Sequence, residues 1–321
     1  MQAVAKLDPR ETHARIASPI AGLQLFLRHL PPQTRPAVPR VVLYVHGGTF
    51  PSALSIAHRF DGRSWRDALC ERGFDVWGLD FLGFGGSDRY PEMAEPAESH
   101  APLGDAVAAG AQLEHAVRWV CEQHQVPRIS LIAHSWGTMS AGRCAAACPE
   151  LIDRMVFFGP VAWRAPKGEA QHYPAWRPVS LQDQWQRFTA EVPPGEAPVL
   201  ARRHFDEWGE RYLDTDPDSC TRSPASVATP SGPWQDIANA GAGCLAYDPA
   251  RIRAPVALIR GEWDSLATDA DARWLFDAMR GSPLRRDVKI ARATHLMHLE
   301  ENRCALYREA ETFLLADDMP A

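Results

Sequence analysis

The sequence predicts an α/β protein that has a mostly parallel, doubly wound sheet and a helical insert. Short runs rich in valine and isoleucine recur along the chain and are apolar on both faces, as strands of a buried parallel sheet are. Stretches with helical periodicity lie between these runs, which is the alternation expected of βαβ crossovers. A proline-rich stretch, residues 160–255, interrupts this alternation, which then resumes. The insert is therefore expected to lie within one α/β unit rather than after it.

The individual elements follow from the same patterns. Apolar residues recur at three- and four-residue spacing between positions 107 and 120, which predicts a helix with one buried face. That face contains Val107, Gly110, Leu113, Val117 and Val120. Further helices are predicted at 139–147, 270–279 and 302–315. The predicted strands are residues 41–45, 74–79, 129–133, 155–158, 256–259 and 287–290.

The interrupting stretch has an unusual composition. Residues 160–255 contain 13 of the 27 prolines and five of the 11 tryptophans, namely Trp163, Trp176, Trp185, Trp208 and Trp234. This proline density excludes long helices and central strands, whereas a disordered segment would be less aromatic. We therefore expect a compact insert of short helices and loops over residues 160–250, within a core formed by residues 1–159 and 251–321.

Composition and charge exclude several classes of protein. The chain of 321 residues has 34 basic and 40 acidic residues, a net charge of −6, and no basic run that would favour nucleic acid or an anionic membrane. No apolar run approaches the roughly 20 residues that span a bilayer, and charges near the N-terminus argue against a secretory signal. Seven cysteines without a Cys-x-x-Cys pair predict reduced thiols, a cytoplasmic location and no metal site. The oligomeric state is left open.

A candidate nucleophile lies in the segment Ala133-His-Ser-Trp-Gly137. A predicted strand precedes this segment and a helix of small residues follows it, which is the context of a nucleophile elbow. The tight turn forces the serine into a strained backbone conformation and requires small residues two positions before and after it. Ala133 and Gly137 meet that requirement. Ser135 is therefore expected to project its hydroxyl beyond the carboxyl ends of the strands.

A serine nucleophile needs a base, and the base needs an orienting acid. Asp264 follows the predicted strand 256–259, and His295 follows the predicted strand 287–290, so both should lie in loops at the same edge of the sheet. The order Ser, Asp, His is the one that this architecture uses. Glu262 is a rival acid. His298 is a rival base, but it is expected on a helical turn where packing would fix its side chain.

The segment His46-Gly-Gly-Thr49 also follows a predicted strand. Its glycines permit a sharp turn that exposes backbone N–H groups. One N–H from Gly48 or Thr49, together with that of Trp136, is expected to form an oxyanion hole.

Five segments, in this order along the chain, resemble the motifs of the α/β-hydrolase superfamily. They are His46-Gly-Gly-Thr49, Asp80-Phe-Leu-Gly-Phe-Gly-Gly-Ser87, Ala133-His-Ser-Trp-Gly137, Gly261-Glu-Trp-Asp264 and His295-Leu-Met-His-Leu-Glu300. The resemblance covers residues 20–158 and 250–316, and is strongest to the branch of small serine carboxylesterases, lysophospholipase-like hydrolases and haloalkane dehalogenases. It implies an α/β-hydrolase fold in which the insert forms a cap. The glycines between Asp80 and Ser87 suit a tight loop after a strand, so we expect a structural role for this segment. Acyl transfer by a serine needs no metal or organic cofactor, and none is expected.

Within the superfamily, dehalogenases and epoxide hydrolases carry aspartate at the elbow, so Ser135 favours acyl transfer instead. The expected substrate is a carboxylic ester of small to medium size with an apolar or aromatic part, because the insert is rich in tryptophan. Trp163 is the tryptophan expected to reach it. One of the insert arginines is a candidate partner for a substrate carboxylate; the candidates are Arg164, Arg177, Arg187, Arg202 and Arg203. Thioesterase, lactonase or acyltransferase activity and a non-catalytic ligand receptor remain as alternatives.

Overall fold

The computed structural model describes residues 4–166 and 168–316. Within these residues, eight strands form one sheet in the order β1-β2-β4-β3-β5-β6-β9-β10. Their bounds are β1 Thr12–Ala17, β2 Gln24–Leu30, β3 Arg40–Val45, β4 Phe74–Asp80, β5 Ile129–His134, β6 Ile152–Phe158, β9 Val256–Gly261 and β10 Arg285–Ile290. In this order, each pair of neighbouring strands from β4 to β10 is parallel. The pairs β1·β2 and β2·β4 are antiparallel. This confirms the mostly parallel sheet that the sequence predicts.

The strands β1 and β2 were not among the predicted strands. β1 lies at the edge of the sheet and mixes polar with apolar residues, so it lacks a continuous apolar run. β2 carries Arg28, whose side chain is buried although it is charged. Arg28 donates a hydrogen bond of 2.8 Å to Glu11, which also pairs with Arg66. A buried ion cluster thus interrupts the apolar run that begins at Leu25 and shortens the sequence signal for this strand.

Helices cover both faces of the sheet. On one face pack α2, α3 and α7, and on the other pack α1 and α8. The bounds are α1 Trp65–Glu71, α2 Ala106–His124, α3 Gly137–Ala147, α7 Asp269–Ala278 and α8 Arg303–Leu315. None of the helices in the described ranges has both the length and the apolar character needed to cross a membrane.

One residue of the predicted helix face is placed wrongly by the sequence. Val107 is 53% exposed, whereas Gly110, Leu113 and Val117 are buried in α2. Each residue advances about 100° around a helix, so a step of three falls short of a full turn. Val107 therefore lies to one side of the face that the later residues share, and Ala106 takes the buried position instead.

The insert between β6 and β9 contains the strands β7 Trp176–Ser180 and β8 Ser226–Pro230 and the helices α4 Leu181–Thr189, α5 Arg202–Leu213 and α6 Gly232–Gly241. The strands β7 and β8 form an antiparallel pair, an element that was not predicted because Pro178 and Pro230 lie within it. Each strand of a two-stranded sheet has one edge without a partner, and proline is tolerated there because it needs no hydrogen-bond acceptor.

The insert packs onto the core through its own apolar cluster. Phe188 of α4 and Trp208 of α5 pack around Phe50, with ring-centroid distances of 5.8 and 5.3 Å. The indole N–H of Trp208 donates to the carbonyl oxygen of Leu54 at 2.9 Å. Trp208, one of the five tryptophans of the insert, thus helps to hold the insert over the carboxyl edge of the sheet.

Candidate active site

Ser135 occupies the turn between β5 and α3. Its φ is 54°, in the left-handed region where a residue other than glycine is strained. Its N–H donates to the carbonyl oxygen of Phe158 at 3.0 Å. Gly137 is required two residues later, because a Cβ there would lie 2.4 Å from the carbonyl oxygen of His46. Close approach of α3 to the loop after β3 therefore fixes the turn.

The structure brings Ser135, His295 and Asp264 together. The Ser135 Oγ lies 2.7 Å from His295 Nε2, and His295 Nδ1 lies 3.0 Å from Asp264 Oδ2. Asp264 follows β9 and His295 follows β10; these strands are parallel neighbours, so their loops meet at one edge. Because Asp264 accepts the Nδ1–H, Nε2 is left as the acceptor for the Ser135 hydroxyl.

The environment of Asp264 favours its charged form. Burial raises the pKa of the carboxyl, but the electrostatic interaction and the hydrogen bond with the His295 imidazole outweigh that effect and lower the pKa overall. The backbone N–H groups of Leu266 and Ala267 lower it further, each donating to Oδ1 at 2.9 Å. An ionised carboxylate therefore holds the imidazole in place.

The rival residues lie elsewhere. Glu262 accepts the backbone N–H of Arg292 at 2.9 Å. His298 is buried against Phe50 and His134, and neither of its ring nitrogens has a hydrogen-bond partner among the described residues. Burial lowers the pKa of His298 well below its ordinary value, so the imidazole is neutral. Neither side chain takes the place of Asp264 or His295 beside Ser135.

The candidate oxyanion loop lies against the serine. A Cβ on Gly47 would lie 3.4 Å from the Cβ of Ser135, so the loop after β3 passes directly beside it. Within the described residues, the backbone N–H groups of Gly48, Thr49 and Trp136 donate no hydrogen bond. Trp136 lies at the amino end of α3, where the helix dipole favours negative charge. These N–H groups are available to a developing oxyanion.

Trp163 is held at the junction of the core and the insert. Its indole N–H donates to the carbonyl oxygen of Gly243 at 2.8 Å, and its ring stacks on Trp274 at 5.6 Å. These contacts account for the position of the ring without Ser135. A role for Trp163 in substrate binding stays a prediction.

Two positioning residues were missed by the sequence interpretation. The Nε2–H of His134 donates to the carbonyl oxygen of His295 at 3.0 Å, which ties the histidine loop to the elbow. Gly159 directly follows β6 with a φ of 55°, and a Cβ there would lie 2.9 Å from the His295 ring. The sequence holds no signal for either role, since both depend on contacts across the sheet.

Glu191, which follows α4 in the insert, is the third residue that the sequence interpretation missed. One carboxylate oxygen accepts the backbone N–H of His295 at 2.8 Å, and the other accepts the backbone N–H of Ser265 at 2.9 Å. A side chain of the insert therefore joins the loop of Asp264 to the loop of His295.

A separate group could be considered for a metal ion. His29, Asp75 and His124 offer donor atoms within 4.8 Å of one another. The indole N–H of Trp77 donates to Nε2 of His124 at 2.8 Å, so a neutral His124 carries its proton on Nδ1, the nitrogen that faces Asp75. A protonated nitrogen cannot bind a metal. The residues present thus fit a hydrogen-bonded network, at the edge of the sheet opposite Ser135.

The loop from Asp80 to Ser87 is held by its own hydrogen bonds. Asp80 accepts the N–H of Ser52 at 2.9 Å and the N–H of Gly86 at 3.0 Å. The hydroxyl of Ser87 accepts the N–H of Phe26 at 2.7 Å. These contacts fasten β2 to the loop after β4 and fit a structural role.

Comparison with known proteins identifies the fold. The chain resembles a serine hydrolase from Cycloclasticus zankles with a TM-score of 0.63 and 13% identity, over 96% of this chain and 100% of that chain. It resembles a carboxylesterase from Bacillus subtilis with a TM-score of 0.58 and 15% identity, over 96% and 93% of the two chains. A thioesterase domain from the curacin biosynthetic pathway gives a TM-score of 0.59 and 14% identity, over 95% and 99%.

No curated protein shows significant sequence similarity to the chain. The family model for the alpha/beta hydrolase fold, however, matches residues 40–302, a span that includes the elbow and both loops that follow β9 and β10. The chain belongs to the alpha/beta hydrolase fold family.

Proposed function

We propose that the protein is a serine hydrolase that cleaves a carboxylic ester of small to medium size through an acyl-enzyme on Ser135. The observation that carries this proposal is the continuous hydrogen-bonded relay from the Ser135 hydroxyl through His295 to Asp264, at 2.7 and 3.0 Å. Such a relay makes an alcohol nucleophilic at neutral pH.

In the proposed reaction, Ser135 Oγ attacks the ester carbonyl carbon while its proton moves to Nε2 of His295. Asp264 stabilises the imidazolium that forms. The N–H of Trp136 and that of Gly48 or Thr49 donate to the oxyanion of the tetrahedral intermediate.

Collapse of the intermediate expels the alcohol, which takes the proton from His295. Water then attacks the acyl-enzyme, again giving a proton to His295. The second collapse releases the carboxylic acid and returns the proton to Ser135. The net reaction consumes one ester and one water and yields one acid and one alcohol.

The relay identifies a nucleophile but does not specify the leaving group of the substrate. The same residues would act on thioesters and lactones, or would transfer the acyl group to an acceptor other than water. A receptor that binds a ligand without turnover would need none of the relay.

The experiment measures turnover of p-nitrophenyl acetate and p-nitrophenyl butyrate, and labelling of the protein by a fluorophosphonate located by peptide mass spectrometry. We expect turnover and a label on Ser135, both lost in Ser135→Ala. Ser140→Ala is the matched control, because Ser140 is a buried serine of α3 whose hydroxyl has no partner among the described residues. Absence of both turnover and label would favour the receptor, and a panel with thioesters and lactones would identify the leaving group.

A further inference from the structure

One polar side chain of α4 lies beside the candidate site. Arg187 reaches the oxyanion loop, where its Nη1 lies 3.4 Å from the Thr49 hydroxyl. Its guanidinium also lies over the ring of Trp234, 5.6 Å from the ring centroid. A cation is therefore held beside the loop that is proposed to bind the acyl oxygen.

Arg187 forms no ion pair with an acidic side chain among the described residues. The exposed arginines of the insert differ in this respect. Arg202 pairs with Asp206 at 2.8 Å, and Arg203 pairs with Asp61 at 3.4 Å. Arg164, which the sequence also offered as a candidate, pairs with Asp271 at 2.7 Å.

The nearest acids are already occupied. Glu191 accepts the N–H groups of Ser265 and His295, and Asp264 accepts the imidazole N–H. Burial lowers the pKa of Arg187 while these two carboxylates raise it. A guanidinium stays protonated in proteins, so Arg187 is a cation that lies near these two carboxylates but forms an ion pair with neither of them.

A second arginine accompanies Arg187. Arg177 lies over the same Trp234 ring at 4.8 Å and likewise makes no ion pair with a described acid. The planar guanidinium of arginine matches the geometry of a carboxylate, so the two arginines beside one ring suit an anionic ligand.

We propose that Arg187, assisted by Arg177, binds a carboxylate on the acyl part of the substrate, so that the preferred substrates are hemiesters of short dicarboxylic acids. The inference rests on the proposed hydrolase function and narrows its substrate class. The carboxylate belongs to the acyl part because Arg187 contacts Thr49, in the loop proposed to hold the acyl oxygen.

The test compares p-nitrophenyl hydrogen glutarate with its neutral counterpart, methyl p-nitrophenyl glutarate, which has the same chain and leaving group. We expect the wild type to show a kcat/KM about 10- to 100-fold higher for the charged ester, the range that charged hydrogen bonds provide. Arg187→Gln is expected to bring the ratio close to one, whereas Arg187→Lys is expected to retain part of it. Arg203→Gln, which removes an exposed arginine of the insert, should keep the wild-type ratio.

A ratio near one in the wild type, or a ratio that survives in Arg187→Gln, would overturn the inference while leaving hydrolysis in place. If neither ester is turned over and no fluorophosphonate label forms, the proposed function fails. The carboxylate site is then tested by ligand binding alone. Calorimetry with Ser135→Ala would then compare monomethyl glutarate with dimethyl glutarate. Binding of the anion alone, lost in Ser135→Ala/Arg187→Gln, supports the site, and failure to bind the anion overturns it.

Discussion

The carboxylate of Glu191 accepts the backbone N–H of His295 at 2.8 Å. Glu191 comes from the insert and His295 from the core, and the same carboxylate also binds the N–H of Ser265, next to Asp264. The insert therefore contributes to the geometry of the relay in addition to covering it. The consequence is that a substitution in the insert should alter the chemical step.

We expect Glu191→Gln to lower kcat by about 10- to 100-fold with a smaller change in KM, because displacement of a catalytic group by about 1 Å has effects of this size. The measurement is steady-state kinetics together with the rate of fluorophosphonate labelling. Glu196→Gln is the control, since Glu196 lies in the same segment but pairs at the surface with Arg292. Equal kinetics in the two variants would argue against a positioning role for Glu191.

Gly159→Ala should impair the site by direct contact, because the added Cβ would lie 2.9 Å from the His295 ring. We expect a clear loss of kcat/KM and a loss of stability of about 1 kcal/mol from the positive φ. Gly22→Ala is the matched control: its φ is 83°, but no atom lies within 4 Å of the added Cβ. It should lose stability and keep activity. Loss of activity in both variants would assign the effect to stability alone.

Ser135 offers a test of backbone strain at the elbow. Its φ of 54° costs a residue with a Cβ about 1–2 kcal/mol relative to glycine. We expect Ser135→Gly to melt at a higher temperature than Ser135→Ala, although both lack the hydroxyl and should lose roughly a millionfold in kcat. Differential scanning calorimetry would measure the difference. A lower melting temperature for the glycine variant would contradict the strained conformation.

The buried cluster of Glu11, Arg28 and Arg66 makes stability depend on acid pH. Burial raises the pKa of Glu11, but the hydrogen bond from His13 and the two arginines lower it to about 2, against 4.5 for the unfolded chain. The folded state therefore holds this proton less tightly. The stabilisation is present above pH 4.5 and is lost as the pH falls toward 2.

Glu11→Gln should accordingly cost about 3–5 kcal/mol near neutral pH, because two buried arginines lose their partner. The difference from the wild type should shrink as the pH falls from 4.5 toward 2. Urea unfolding at several pH values would measure it. Glu71→Gln breaks only the exposed pair with Arg63 and should cost about 0–1 kcal/mol. A difference for Glu11→Gln that does not change with pH would refute the role assigned to the cluster.

The sequence by itself determined the parallel sheet, the turn at Ser135 and the loops of Asp264 and His295. These features depend on local patterns, since an apolar strand followed by a tight turn and a helix can be recognised within some twenty residues. The order of the motifs then selected one family. The strand β2 was not predicted, because a buried arginine paired with Glu11 ends its apolar run after three residues.

Only the tertiary structure decided how the insert meets the core. In the folded chain Glu191 lies between two loops, Arg187 lies beside Thr49, and the ring of Trp163 stacks on Trp274. No short-range periodicity encodes these contacts, because each joins residues that are far apart in the chain and is set by the packing of α4 and α5 over the sheet edge. The local spacing of residues specifies individual helices and strands. Contacts between side chains of separate elements depend instead on the free energy of the whole packed structure.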